Sequence, residues 1–225
     1  MKAPIRRLKK DEIIYLAEHQ CRHRHTYLDH YSCYTKEKHL DKKIGFFDIE
    51  SGGSLTADFG YMFSYCIKEL NGKTISNCIT SDEIKTLKFD KRLVTDLCKD
   101  LRKFDTLVVY YGKDFRNRHD FPFSRTRAVK WGLDDFPKWK ELKIIDVYDI
   151  IKNKFKLARS SMLRACSLFD IGAKTHPINF EVWQGALAGN QKALDYIITH
   201  NKEDVVSLEK LWVKVFNYKE TITTT

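Results

Sequence analysis

A chain of 225 residues with 43% hydrophobic and 13% aromatic content can bury a substantial core, which fits one domain with an appendage. A net charge of +10 points to a polyanionic partner, most simply nucleic acid, with a merely soluble basic protein as the plain alternative. No apolar run approaches the roughly 20 residues of a membrane span, Met1 to Lys10 lacks an apolar signal core, and the six Cys lack the regular spacing of a disulfide framework, so a cytoplasmic protein is expected.

Residues 1–41 are polar, basic and rich in His, and they form a first segment. Five of the eight His lie between positions 19 and 39, interleaved with Cys21 and Cys33. Cys21 with His23 or His25, and His30 with Cys33, offer the two-sulfur, two-nitrogen set of a tetrahedral structural Zn²⁺, four of these five serving as ligands. The spacing is not that of the usual finger, and the plain alternative is an exposed basic arm that binds phosphate.

From residue 42 the pattern changes to apolar strands and amphipathic helices, continuing to about 217, with a Thr-rich tail at 218–225 that reads as disordered. Strands are expected at about 43–50, 59–68, 74–80, 106–111 and 143–147, and the first three are close enough to form a meander. Helices are expected at about 91–104, 122–131, 160–169 and 191–215, the last long and free of internal Gly and Pro. Strands first and helices later imply an α/β fold, a mixed sheet with helices packed on its faces.

The first strand, Ile44-Gly45-Phe46-Phe47-Asp48-Ile49-Glu50, ends with two carboxylates one residue apart. Alternation places Asp48 and Glu50 on one face, about 6–7 Å apart, and Phe47 with Ile49 on the other. A divalent cation relieves their repulsion; a solvated strand end is the bland alternative. After the strand at 106–111, Gly112-Lys113 leads through a basic loop to Asp120-Phe121-Pro122-Phe123, where Asp120 serves either as a ligand or as a helix N-cap. In the last helix, His200 and Asp204 are four residues apart and share a face, together with Ile197, Val205 and Leu208. Asp204 is thereby expected to point inward, where an unpaired carboxylate is costly; a surface ion pair is the other reading. Lys113, Arg116, Arg118, Arg125, Arg127 and Lys130, beside Phe115, Phe121 and Trp131, have the composition of a surface that tracks phosphates and stacks bases, or of an ordinary solvated basic face.

Asp48, Glu50, Asp120 and Asp204, on strand, strand, helix start and late helix, resemble in order and placement the DEDD exonuclease branch of the ribonuclease H-like superfamily. The nearest look-alikes are the proofreading domain of family-B DNA polymerases and stand-alone predicted exonucleases related to it. The similarity runs through Phe47-Asp48-Ile49-Glu50, Gly112-Lys113, Asp120-Phe121-Pro122-Phe123 and Asn201-Lys202-Glu203-Asp204-Val205, and covers about residues 43–215. There are two departures. Such proteins carry Tyr four residues, or His five residues, before the last Asp, whereas here His200 stands at four; and Arg116-Asn117-Arg118-His119 separates the Gly-Lys turn from Asp120, which leaves Asp114 as a lesser candidate.

The resemblance implies a ribonuclease H-like mixed sheet with helices on both faces, and a 3′–5′ exonuclease acting on single-stranded or frayed nucleic acid, DNA favoured. It further implies two Mg²⁺ or Mn²⁺ held by Asp48, Glu50, Asp120 and Asp204, with His200 orienting or deprotonating the attacking water. Lys113, Arg116, Arg118, Arg125 and Arg127 would bind substrate, assisted by the basic first segment. A structure-specific endonuclease and an inactive nucleic-acid-binding module are the rival functions.

Overall fold

The computed structural model describes residues 10–37, 43–113, 118–138, 141–172 and 176–218. The chain divides into two compact units, Met1–Lys43 and Ile44–Thr225. In the smaller, helices α1 (Lys10–Glu18) and α2 (Tyr31–Glu37) flank a turn closed by a bridge between Gln20 and Thr26. Its buried apolar core is small, comprising Leu16, Cys21 and Tyr27.

In the larger unit, β1 (Ile44–Gly52), β2 (Tyr61–Glu69), β3 (Thr74–Cys78), β4 (Thr106–Val109) and β5 (Lys143–Asp146) form a sheet in the order β3-β2-β1-β4-β5. β1, β2 and β3 are the expected antiparallel meander, while β4 and β5 add in parallel on the other side of β1. Parallel pairing needs a crossover, and α4 (Lys91–Leu101) and α5 (Asp120–Lys130) stand in the two connections. Three helices of this unit absent from the sequence expectation, α3 (Ser81–Lys85), α6 (Val147–Lys154) and α8 (Phe180–Leu187), are short, and α3 is fixed by a Thr80–Glu83 capping box. The expected helices at 160–169 and 191–215 are α7 (Met162–Leu168) and α9 (Gln191–Val215).

β1 is apolar on both faces because both are covered. Phe47 and Ile49 pack with Leu93, Leu97 and Leu101 of α4 and Phe121 and Phe123 of α5. Phe46 packs on the opposite side with Val147 and Ile151 of α6 and Val205, Leu208 and Leu211 of α9. The second set occupies the face that carries Asp48 and Glu50, so alternation on β1 aims both carboxylates toward α9.

Two expected boundaries shift for local reasons. β4 stops at Val109 because Tyr111 takes a left-handed backbone (φ 61°) and its N–H turns to the Asp146 side chain at 2.8 Å. α5 starts at Asp120 because Pro122 falls within the first turn, where a missing N–H leaves no intrahelical bond unmade.

Candidate active site and Cys/His cluster

Glu50 and Asp48 arrive from the centre of the sheet. The β1–β2 register shifts between Glu50 and Ser51, an irregularity of the kind that re-aims side chains at the end of a strand. From α9, one helical face presents His200, Asn201 and Asp204, all on the inner side near β1. His200 Nε2 lies 3.6 Å from Glu50 Oε1 and 3.5 Å from Asp204 Oδ2, and ligand atoms of these three residues all lie within 4.8 Å of one another. Asn201 Nδ2 donates to Asp48 Oδ2 at 3.2 Å, which ties the first carboxylate of β1 to α9.

Asp120 comes from the start of α5, after β4. It is the first helical residue rather than the N-cap, which is His119, so capping does not account for it. Its Oδ2 is buried with no hydrogen-bond partner among the described residues. Gly112 sits so close that a Cβ there would fall 2.4 Å from that oxygen, which explains glycine in the Gly-Lys turn. Burial pushes the Asp120 carboxyl well above the usual carboxylate range, and the charges of Glu50, Asp146 and Asp204 push it further. Sequence reasoning placed Asp48, Glu50, Asp120, His200 and Asp204 together; the structure converges Glu50, His200 and Asp204, sets Asp120 within their field, and links Asp48 through Asn201.

The raised Asp120 carboxyl has a sign that can be checked. Its folded value lies above its unfolded value of about 4, so its contribution to stability is complete below pH 4 and is lost as pH rises through the folded value. Without added divalent cations, wild-type protein should lose thermal stability as pH rises from about 4 through the folded value, and Asp120→Asn should flatten that slope and melt higher than wild type at the alkaline end. Adding Mg²⁺ should stabilise wild type far more than the variant. Thermal unfolding across pH, with and without Mg²⁺, measures both; parallel curves for the two proteins would rule the effect out.

The basic residues divide sharply. Arg127 is 1% exposed, with Nε and Nη2 on Asp90 at 2.8 and 2.6 Å and Nη1 on the Ala57 carbonyl, so its role is structural and not substrate binding. Arg118 is likewise corrected: its guanidinium is buried on Asp146 at 2.7 Å and Asp149 at 2.5 Å, and stacks near Tyr111 and Tyr148. Lys113 is exposed and Arg125 half-buried, and both line a cavity of about 460 Å³ with Phe121, Leu133, Phe136 and Lys138. Arg116, with Asp114 and Phe115, lies outside the described residues, as does most of the 218–225 tail.

Four residues to which the sequence reading gave no role organise this site. Buried Asp146 caps α6 and accepts from the N–H groups of Tyr111, Lys113 and Tyr148, and so holds the loop that leads to Asp120. Asn201 was detectable as the residue three before Asp204 on the same helical face. His176 and Glu203 pair at 2.6 Å and support His200 from outside; nothing local to His176 signals this.

In the smaller unit, Cys21 Sγ, His23 Nδ1, His30 Nδ1 and Cys33 Sγ converge. His23 Nδ1 lies 4.0 Å from Cys21 Sγ and 3.4 Å from Cys33 Sγ, and His30 Nδ1 lies 3.7 Å from Cys33 Sγ. Such spacing suits donors sharing one metal, because tetrahedral ligands at 2.0–2.3 Å from zinc stand about 3.6 Å apart. This cluster could bind zinc. His25 stays outside the set; its ring packs on that of His30 with centroids 4.2 Å apart. The left-handed Arg24 (φ 63°) and its N–H to the Cys21 carbonyl make the tight turn that returns His23 to Cys21.

A five-stranded mixed sheet with helices on both faces, carrying acidic residues from its central strand and a late helix, defines a ribonuclease H-like, nuclease-type fold. The chain belongs to the RNase H superfamily, whose model matches residues 45–216. Its fold is similar to the structure of the family B DNA polymerase from the hyperthermophilic archaeon Pyrobaculum calidifontis, with a TM-score of 0.58 and 15% identity. That similarity covers 76% of this chain and 24% of the polymerase, so the chain spans about a quarter of its relative's length. Both findings are consistent with a DEDD exonuclease of this fold. No curated protein matches the sequence. Among the described residues, no helix is long and apolar enough to cross a membrane.

Proposed function

We propose that the larger unit is a metal-dependent nuclease, a 3′–5′ exonuclease acting on single-stranded or frayed nucleic acid, with DNA favoured. The observation that carries the reading is the convergence of Glu50, His200 and Asp204 beside a buried, unpartnered Asp120 oxygen. Hard carboxylate oxygens fit Mg²⁺ or Mn²⁺, and Asp48, Glu50, Asp120 and Asp204 would hold a pair. Such ions, when bound, polarise the phosphoryl group, raise the acidity of a water and neutralise the leaving oxygen.

The chain's own residues do the rest. Asn201 fixes the Asp48 carboxylate, and Asp146 and Arg118 hold the loop that delivers Asp120. Lys113 and Arg125 supply positive charge at a cavity whose apolar walls suit a nucleobase, which supports single-stranded substrate. End-labelled DNA and RNA, open or blocked at the 3′ end, incubated with Mg²⁺ or Mn²⁺, test the reading. Stepwise loss of nucleotides from open 3′ ends only is expected. Equal cleavage of blocked substrate would make it an endonuclease, and no cleavage with tight binding would make it a binding module.

For the smaller unit we propose a structural Zn²⁺ held by Cys21, His23, His30 and Cys33. A unit with so small an apolar core gains its fold from such a staple. Purified protein never exposed to chelator should carry one zinc by elemental analysis, and Cys33→Ser should lose it together with the tertiary signals of this unit. Metal-free protein with those signals intact would exclude the site.

A further inference from the structure

The His200 ring is held in one orientation by its surroundings. Its Nδ1 lies against the backbone carbonyl of His176, which can only accept, so the neutral ring carries its proton there and keeps the Nε2 lone pair. The support is braced in turn: both the Nδ1 and the backbone N–H of His176 meet the Glu203 carboxylate, at 2.6 and 3.2 Å. This is the arrangement by which outer partners fix the tautomer and direction of a metal-ligating histidine.

What Nε2 faces is equally specific. At 3.6 Å from Glu50 Oε1 and 3.5 Å from Asp204 Oδ2, it is too far for good hydrogen bonds to either. Two donors each about 2.1 Å from a common ion stand about 3.0 Å apart when cis in an octahedron and about 3.4 Å apart at a near-tetrahedral angle, so an octahedral Mg²⁺ or Mn²⁺ would draw these donors about half an ångström closer. The lone pair therefore points into the same small space as the two carboxylate oxygens.

We propose that His200 Nε2 is a direct ligand of one metal, which it shares with Glu50 and Asp204. This rests on the nuclease reading and specifies that site further. The donor set becomes one nitrogen with two carboxylates, and imidazole shifts preference along the series from Mg²⁺ toward Mn²⁺, Co²⁺ and Zn²⁺. His200 is then a metal ligand whose Nε2 lone pair is taken up by the ion.

Electron paramagnetic resonance on the full chain titrated with Mn²⁺ tests this without turnover. Pulsed measurements should show ¹⁴N modulation from a coordinated imidazole, lost in His200→Ala and retained in His23→Ala. His200→Ala should weaken Mn²⁺ binding by 10- to 100-fold and Mg²⁺ binding much less. Mn²⁺ bound in an Asp204-dependent way without ¹⁴N modulation would overturn the ligand role while leaving the nuclease reading intact. Absence of any Asp204-dependent Mn²⁺ binding would overturn both.

Discussion

Replacing Asp48 by alanine is expected to lower phosphodiester hydrolysis by more than about a thousand-fold, a loss of about 4 kcal/mol of transition-state stabilisation. The residue sits on the central strand of the sheet, with Phe47 and Ile49 buried on the opposite side, and its carboxylate is held by Asn201 of α9. Because Asp48 itself is only half-buried and its neighbours supply the packing, the fold should survive the change. Initial rates on end-labelled substrate, with circular dichroism as the control for folding, measure it. Activity within tenfold of wild type in the folded variant would dismantle the proposed site.

Arg127→Met should produce the largest change in stability. The guanidinium and Asp90 form a bidentate pair with both side chains almost wholly buried, and Asp90 also accepts from the Met62 N–H and Trp131 Nε1. Removing the cation leaves a buried carboxylate with its charge uncompensated, which costs about 3–5 kcal/mol. For a domain of this size, that lowers the Tm by on the order of 10 °C. Urea or thermal unfolding reads it directly, and an unchanged Tm would contradict the structural role. Nucleic-acid affinity of the folded fraction should be unaffected, in contrast to Lys113→Ala and Arg125→Ala. Each of those should weaken binding and reduce the slope of affinity against salt by about one.

The contrast between Arg127 and Lys113 marks where sequence reading stops. Both are cations near Asp120 in sequence, and composition treats them alike. Arg127 lies seven residues into α5, on its buried face, while Lys113 precedes the helix in an exposed loop. Helical phase distinguishes the two, but only knowledge of the packed face says that Asp90 waits there. Arg118 is the same case, since its partners Asp146 and Asp149 are about thirty residues away.

Much else was legible locally. The meander follows from three apolar, alternating segments separated by short turns, and the length of α9 follows from an unbroken amphipathic pattern without Gly or Pro. The Cys/His cluster was visible as crowding, yet five candidates remained for four positions; the left-handed turn at Arg24 and the stacking of His25 on His30 decide which four meet. Short helices such as α6 and α8 escaped because seven or eight residues give too little periodicity to read, and their ends are set by caps and by burial against the sheet.

What the sequence by itself determined is the sheet's first half and the long final helix, with the acidic residues they carry placed on one face of each. Alternation on one strand and the 3.6-residue repeat of one helix are properties of the local backbone, and they fix which side chains share a face. The tertiary structure alone decided that these faces meet, that Asn201 and Asp146 hold the carboxylates' supports, and that His200 turns its Nε2 between Glu50 and Asp204. Those arrangements depend on contacts between residues up to 153 positions apart, whose distances no local pattern encodes.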